Sequence, residues 1–535
     1  MKRVHYSLLI CLMAAGVLAG CKKDFLERPP LTVINAGNFY RTEAEVLAGT
    51  APLYNIVWFD YNDKSSFGIG DARGGNMISN DWNPFYQFTV SNTNAALLSA
   101  YQSFYKIIAQ SNVTMANIDR YATNVNEGVK NYARGEARFM RGVAYSYLVR
   151  LFGELPIIYD NVNQGSDTSL RKNTVESIWE FIIRDLRFAS QNLTSAPMGE
   201  GRLTKWAAEG MLAKMYLIRS GVGQNGTRNQ ADLDSAKHYA ASVIKNSPFQ
   251  LEPNYYDLFR SENNNWQKTN KETLFALYWL PQSQPWGVNN SFQAYMAYAP
   301  EVTTTGDGWG RAHGASADLV RYYMANLNDS IRRKASFMFN GDAYPELGEN
   351  GIKYDITDRA NVKKYIIGTP ARNGGGTFMA ANIKTYMLRL SDVYLTYAEA
   401  ILGNNASTTD PEALEYFNRV RERAGVAPVD ELTFDNIWNE RRIEFAMEGQ
   451  AWYELVRLYY FNPAKALDII AKQDKGDYTI TYKAGTHPRE YTVTYNPMYY
   501  PASAATFFLP IPANELLRAP NLNQPAVPFD FSKMP

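Results

Sequence analysis

The chain has 535 residues, 54 Lys and Arg against 53 Asp and Glu, and a formal net charge of +1 at pH 7. Such neutrality, without a basic face or a polybasic run, leaves no electrostatic footprint for nucleic acid. Two cysteines are too few for a disulfide framework or a cysteine-rich metal site, whereas 37 Tyr and 10 Trp can fill a large core and leave rings over for a ligand.

Lys2 and Arg3 open the chain as a short basic region, and Ser7 to Val17 is an apolar run too short to span a bilayer permanently. Leu18-Ala19-Gly20-Cys21 follows, with two small residues that fit a peptidase pocket and then a thiol able to take diacylglycerol. The stretch is similar to a lipobox, which implies a signal peptide over 1–20, cleavage before Cys21 and a lipid on that cysteine. Cys11, Lys2 and Arg3 leave with the leader, so the mature charge is about −1 and no thiol pair remains. Residues 21–38 read as an extended tether, because Pro29 and Pro30 exclude helix.

From residue 39 onward helical periodicity dominates. Val129, Tyr132, Ala133, Met140, Val143, Ala144, Tyr147, Leu148 and Leu151 recur at three- and four-residue spacing, and Gly153 and Pro156 close the run. Further helices are predicted at about 174–192, 204–219, 232–246, 388–402, 411–424 and 435–459. Asp410, Pro411 and Gly425 mark the ends of one of them as N-cap, first-turn proline and C-terminal glycine. The helices fall into antiparallel pairs (129–152 with 174–192, 204–219 with 232–246, 388–402 with 411–424), and small residues such as Gly135, Gly142, Ala207, Gly210 and Ala398 recur where partners must approach. The period is irregular, so the pairs are TPR-like only.

This scaffold, about 39–250 and 385–475, is interrupted at about 250–385 by a stretch rich in Asn, Gly, Pro and aromatics, with one strand candidate, Thr273 to Leu280. Asp477 to Lys483 and Glu490 to Tyr495 alternate as a hairpin around Gly485, inside a C-terminal region of about 476–535. The fold class is mainly α: helix pairs forming a scaffold across one domain, 39–535, that carries a loop-rich, partly β ligand-binding subdomain.

Glu440, Arg441, Arg442, Glu444 and Glu448 lie on one predicted helix, and Glu136, Arg138 and Arg141 on another. Glu444 and Glu448 share a face, as paired glycosidase carboxylates might, but an arginine neighbour lowers a carboxyl pKa, which is wrong for a general acid. Ion pairing between helices is the preferred reading. His5, His238, His313 and His487 show no metal-ligand spacing, and Gly374-Gly375-Gly376 lacks the residues of a phosphate loop. No cofactor is called for. Structural calcium is left open, with Asp307 as an example of an acidic loop residue able to hold it.

Trp179, Trp206, Trp438 and Trp452 sit in helical patterns and read as core, with Trp58 against the first helix; Trp279 ends the strand candidate and is open either way. Trp82, Trp266, Trp286 and Trp309 stand in loops. Sugar rings pack on aromatic planes while their hydroxyls take hydrogen bonds from Asn, Asp and Arg. Arg73, Asn80, Asp81 and Trp82 offer both types on one segment, so with Trp286 and Trp309 they form the candidate ligand site; the bland alternative is that Trp82 staples its loop to the scaffold.

Several segments together resemble the SusD/RagB family. They are Arg134-Gly135-Glu136-Ala137-Arg138-Phe139-Met140-Arg141-Gly142-Val143-Ala144-Tyr145 through Leu151-Phe152-Gly153-Glu154-Leu155-Pro156, and Tyr101, Tyr105, Ile107 and Asn112 of the preceding helix. In family order follow Gly201-Arg202-Leu203-Thr204, Leu388 to Ala400, Asn418 to Gly425, Glu440 to Gly449 and Leu509-Pro510-Ile511-Pro512. Ser391-Asp392 and Pro525-Ala526 depart from the usual pattern. The resemblance implies a non-enzymatic, lipid-anchored outer-membrane protein at the cell surface that captures oligosaccharides and delivers them to a SusC-like, TonB-dependent transporter. It also implies that the early loop holding Trp82 supplies binding aromatics. The rivals are a TPR-like protein-interaction scaffold and a surface glycoside hydrolase, and peptide is an alternative cargo.

Overall fold

A computed structural model describes residues 37, 39–486 and 489–534. Cys21, the signal peptide and nearly all of the tether lie outside the described residues. No helix among the described residues is long and apolar enough to cross a membrane.

The helices pack as a continuous row. Glu127–Phe152 lies between Ala95–Tyr121 and Val175–Asn192; the latter packs on Lys205–Arg219, then come Gln230–Asn246, Leu390–Leu402 and Pro411–Arg423. The three predicted antiparallel pairs are therefore present. Their starts are set by side-chain caps: Thr174 accepts from the Ser177 amide, Thr204 from Ala207, and Asp410 from Glu412 and Ala413. Close approach explains the small residues, since a Cβ at Gly142 would meet the Ile182 carbonyl and Asp185 at contact distance. The 27-residue Ala95–Tyr121 helix is visible in the sequence only through the family resemblance.

One predicted helix is corrected. The 435–459 segment is two helices, Phe434–Glu444 and Ala451–Phe461. Apolar periodicity continues through both, so it hides the break. The cause is tertiary: Met447 and Gly449 turn at φ 61° and 69°, and the buried Asp71 carboxylate accepts the amides they free, at 3.1 and 2.8 Å. Glu448 thus lies in the turn rather than on a helical face with Glu444.

The insert builds a second core from Phe259, Phe292, Tyr323, Phe337, Phe339, Tyr344, Ile366 and Tyr386. Its strand Thr273–Leu277, shorter than predicted, pairs antiparallel with Thr385–Arg389, the strand that returns the chain to the scaffold. The C-terminal hairpin, Asp477–Tyr482 with Tyr491–Asn496, joins this same core through buried Tyr478 and Ile480, while Asp477, Thr479 and Thr481 face out. The tail then returns to the scaffold, where Val527 donates to the Lys172 carbonyl and accepts from the Thr174 amide beside the start of the Val175–Asn192 helix.

A buried ion-pair network clamps insert to scaffold. Arg389 reaches Glu272, Glu444 and Glu448; Arg423 reaches Glu272 and Glu444; Arg332 holds Asp329 and Glu440; Lys364 holds Glu448 at 3.0 Å. Burial alone would raise the Glu444 pKa, yet Arg423, Arg389 and Arg332 outweigh it and hold the carboxyl well below its ordinary range. Glu444 is fully buried and saturated with guanidinium donors, the ion-pair role read for it in the sequence.

Candidate ligand-binding surface

The segment before Trp82 is drawn to the insert by a two-residue strand, Met77–Ile78, paired with Gly314–Ala315. Asn80–Trp82 then forms a 3-10 turn capped by Ser79. The Trp82 ring meets Phe67 edge-on at 5.4 Å and Phe85 at 5.3 Å. It lies directly over Gly68, where a Cβ would enter the indole. Half-buried, it packs against both hydrophobic cores. The packing supports the stapling role weighed for Trp82, and the residue is still partly exposed.

From Trp82 the aromatic contacts continue outward. Phe67 touches Tyr295 at 6.2 Å, Tyr295 meets Trp309 at 5.9 Å, and Trp309 meets Phe378 at 5.9 Å. Trp309 and Phe378 are each 47% exposed, high for rings of this size. Exposed Asp81 places Oδ2 3.2 Å from Nε2 of His313. Burial lowers the His313 pKa, with Asp81 opposing it, so a neutral ring donates its Nε2–H to the carboxylate. Asn80 is exposed beside it.

Trp286, 46% exposed, stands on Phe59 at 5.2 Å. It borders a groove of about 560 Å³ lined by Ile56, Lys106, Gln110 and Val113. Its loop is tied to that of Trp309 through Met379: Asn289 Nδ2 donates to the Met379 carbonyl at 2.8 Å, and the Met379 amide donates to Asp307 at 2.5 Å. Asp307 also accepts from Thr303 and Thr305. The acid read as an example of a calcium ligand is thus engaged as a loop clamp. Among the described residues no three His, Cys, Asp or Glu side chains cluster as a metal site would need.

Arg73 is a correction. It is 1% exposed; its guanidinium donates to the Thr506, Phe507 and Phe85 carbonyls and stacks on Phe88 and Trp452. Buried without a carboxylate partner among the described residues, its pKa falls to about 9. It fastens the C-terminal segment to the scaffold and offers nothing to a ligand. Among the core tryptophans, Trp58, Trp179, Trp279 and Trp452 are buried, with Trp279 donating inward to Thr385, while Trp438 is only partly so. The sequence reading missed Tyr295, His313 and Phe378. Phe378 carried a weak signal, an aromatic two residues after three glycines; the others carried none, because a short helix and a lone histidine look like core.

A row of helix pairs bearing an insert with its own core, and exposed rings on the insert and on the loop docked against it, defines a helical-repeat scaffold with one specialised face. The chain belongs to the SusD family: residues 175–528 match that family's model, and residues 44–217 match one described as starch-binding associating with outer membrane. It is 37% identical to a SusD-like protein of Bacteroides ovatus over 98% of both chains, and 26% identical to the starch-binding protein SusD of Bacteroides thetaiotaomicron over 62% of this chain and 65% of that one. A solved structure with bound xylogluco-oligosaccharide superposes with a TM-score of 0.83 at 36% identity, covering 91% of this chain and 99% of that one.

Proposed function

We propose that the chain binds oligosaccharides across Trp82, Trp286 and Trp309, with Asn80 and Asp81 as polar contacts, and passes them to a SusC-like, TonB-dependent transporter. The observation that carries this reading is the aromatic run from Trp82 to Phe378, built on loops locked together by Met379 and Asp307. Rings held rigidly and half-exposed suit the C–H faces of a sugar chain, and a preorganised platform loses little freedom on binding. A purely protein-binding scaffold has no use for such a platform. The relative solved with xylogluco-oligosaccharide makes xylogluco-oligosaccharides the first class to test.

In the same reading the protein performs no catalysis. Glu444 is locked among arginines, and Glu448 is held by Lys364 and Arg389, so neither is placed to protonate a leaving group. Cys21 carries the lipid that holds the protein on the outer membrane, facing outward beside its transporter. The test is calorimetry with xylogluco-oligosaccharides on wild type and Trp309→Ala. Binding that falls about ten- to hundredfold in the variant, the scale of an aromatic hot spot, supports the proposal; equal affinity in both, or no binding of any glycan by wild type, overturns it.

A further inference from the structure

A second groove, separate from the tryptophan platform, lies where the Ala317–Ala325 helix, the turn after it and the C-terminal hairpin meet. Its volume is about 550 Å³, within the range of small-ligand pockets and ample for one or two sugar rings. Tyr256, Tyr323, Phe339 and Tyr491 give it aromatic walls, and Asn254, Asn326 and Asn328 supply amides.

Its charge is unbalanced. Arg333, Lys334 and Arg489 line it against Asp329 and Asp342. Asp329 pairs at 2.5 Å with Arg332, which also reaches Glu440 and Glu444. Asp342 alone serves both Arg333 and Arg489 and also accepts from the Phe339 amide and the Tyr344 hydroxyl. Lys334 has no ion pair among the described residues and rests its ammonium over the Tyr344 ring at 5.4 Å. Arg333 and Arg489 therefore share one saturated carboxylate, and Lys334 pairs with none among the described residues.

A second observation points to a ligand. Tyr323 is 1% exposed, lines the groove, and its hydroxyl has no hydrogen-bond partner among the described residues. A buried hydroxyl without a partner costs free energy that an incoming acceptor recovers.

We propose that this groove is a second ligand site, for a sugar-sized ring bearing one carboxylate, a uronic acid unit. The carboxylate pairs with Arg489 and Lys334, the Tyr323 hydroxyl donates to a ring substituent, and the tyrosine walls take the ring face. The site is independent of the platform reading and stands or falls separately from it.

The experiment is ligand-observed NMR titration of the full chain with D-galacturonate, and with D-galactose as the uncharged control. Galacturonate binding at least tenfold tighter than galactose, weakening as salt rises, is expected. Arg489→Gln, a partly exposed residue whose loss leaves Arg333 on Asp342, should reduce galacturonate affinity about tenfold. Tyr323→Phe, which removes a buried hydroxyl with no partner among the described residues, should weaken it without lowering the melting temperature. Trp309→Ala should bind galacturonate as wild type does, which separates this site from the platform. No galacturonate binding, equal binding of both sugars, or undiminished affinity in Arg489→Gln and Tyr323→Phe overturns the proposal; so does loss of binding in Trp309→Ala, which would move the uronate to the platform.

Discussion

Trp82→Ala is expected to do two things at once. The ring is wedged between Phe67 and Phe85 over Gly68 and touches both cores. Removing a fully buried tryptophan costs about 3–5 kcal/mol, and a half-buried one about half of that, so roughly 2 kcal/mol is expected. Unfolding entropy of about 2 cal/mol/K per residue makes each kcal/mol worth about 1 °C in a chain of this length, so the melting temperature should fall by about 2 °C. If the exposed part of the ring also carries sugar, affinity falls about ten- to hundredfold. Trp309→Ala is the internal control: its ring is 47% exposed and lies outside both hydrophobic cores, so it should lose comparable affinity with a smaller stability change than Trp82→Ala. Calorimetric melting and oligosaccharide titration on the two variants separate the effects. An unchanged melting temperature for Trp82→Ala would refute the wedge between the cores, and unchanged affinity would remove Trp82 from the platform while leaving Trp309 in it.

Glu444→Gln should destabilise by about 3–5 kcal/mol, because it leaves Arg389, Arg423 and Arg332 short of one buried counter-charge; a melting temperature within 1 °C of wild type would show the network to be dispensable. The Glu444 pKa is lower folded than unfolded, so its contribution is complete above the ordinary value of 4.5 and is lost as pH falls toward the folded value. Melting curves of wild type should therefore drop more steeply below pH 4.5 than those of Glu444→Gln. Gly68→Ala should displace the Trp82 ring, since the added methyl occupies the indole's place; weakened oligosaccharide binding checks this, and wild-type affinity with an unshifted ring in a crystal structure would contradict it. Cys21→Ala should leave the protein out of the outer-membrane fraction, read by fractionation with and without the transporter; full retention without the transporter would mean another anchor.

Local chemistry was enough for the helices of the three predicted pairs, though not for Ala95–Tyr121 or for the break after Glu444. Apolar spacing, Thr174, Thr204 and Asp410 as caps, and small residues at close approaches act over a few residues, so they are legible wherever they occur. The family could be read the same way, from short motifs in a fixed order that the comparisons then bore out. The ring-bearing loops were also visible, because an indole among Asn, Gly and Pro has few helical neighbours to bury it. Only the tertiary structure decided the rest, and in each instance the deciding contact joins residues far apart in the chain. Asp71 breaks the 435–459 helix by capturing amides nearly four hundred residues away in sequence. Arg73, polar and in a loop, reads like a ligand contact until Thr506 and Phe507 cover it. The hairpin reads as part of a tail until Tyr478 and Ile480 complete the insert's core. Periodicity reports which face of an element is apolar, but not which distant surface covers it, and that covering is what separates a buried arginine from an exposed tryptophan.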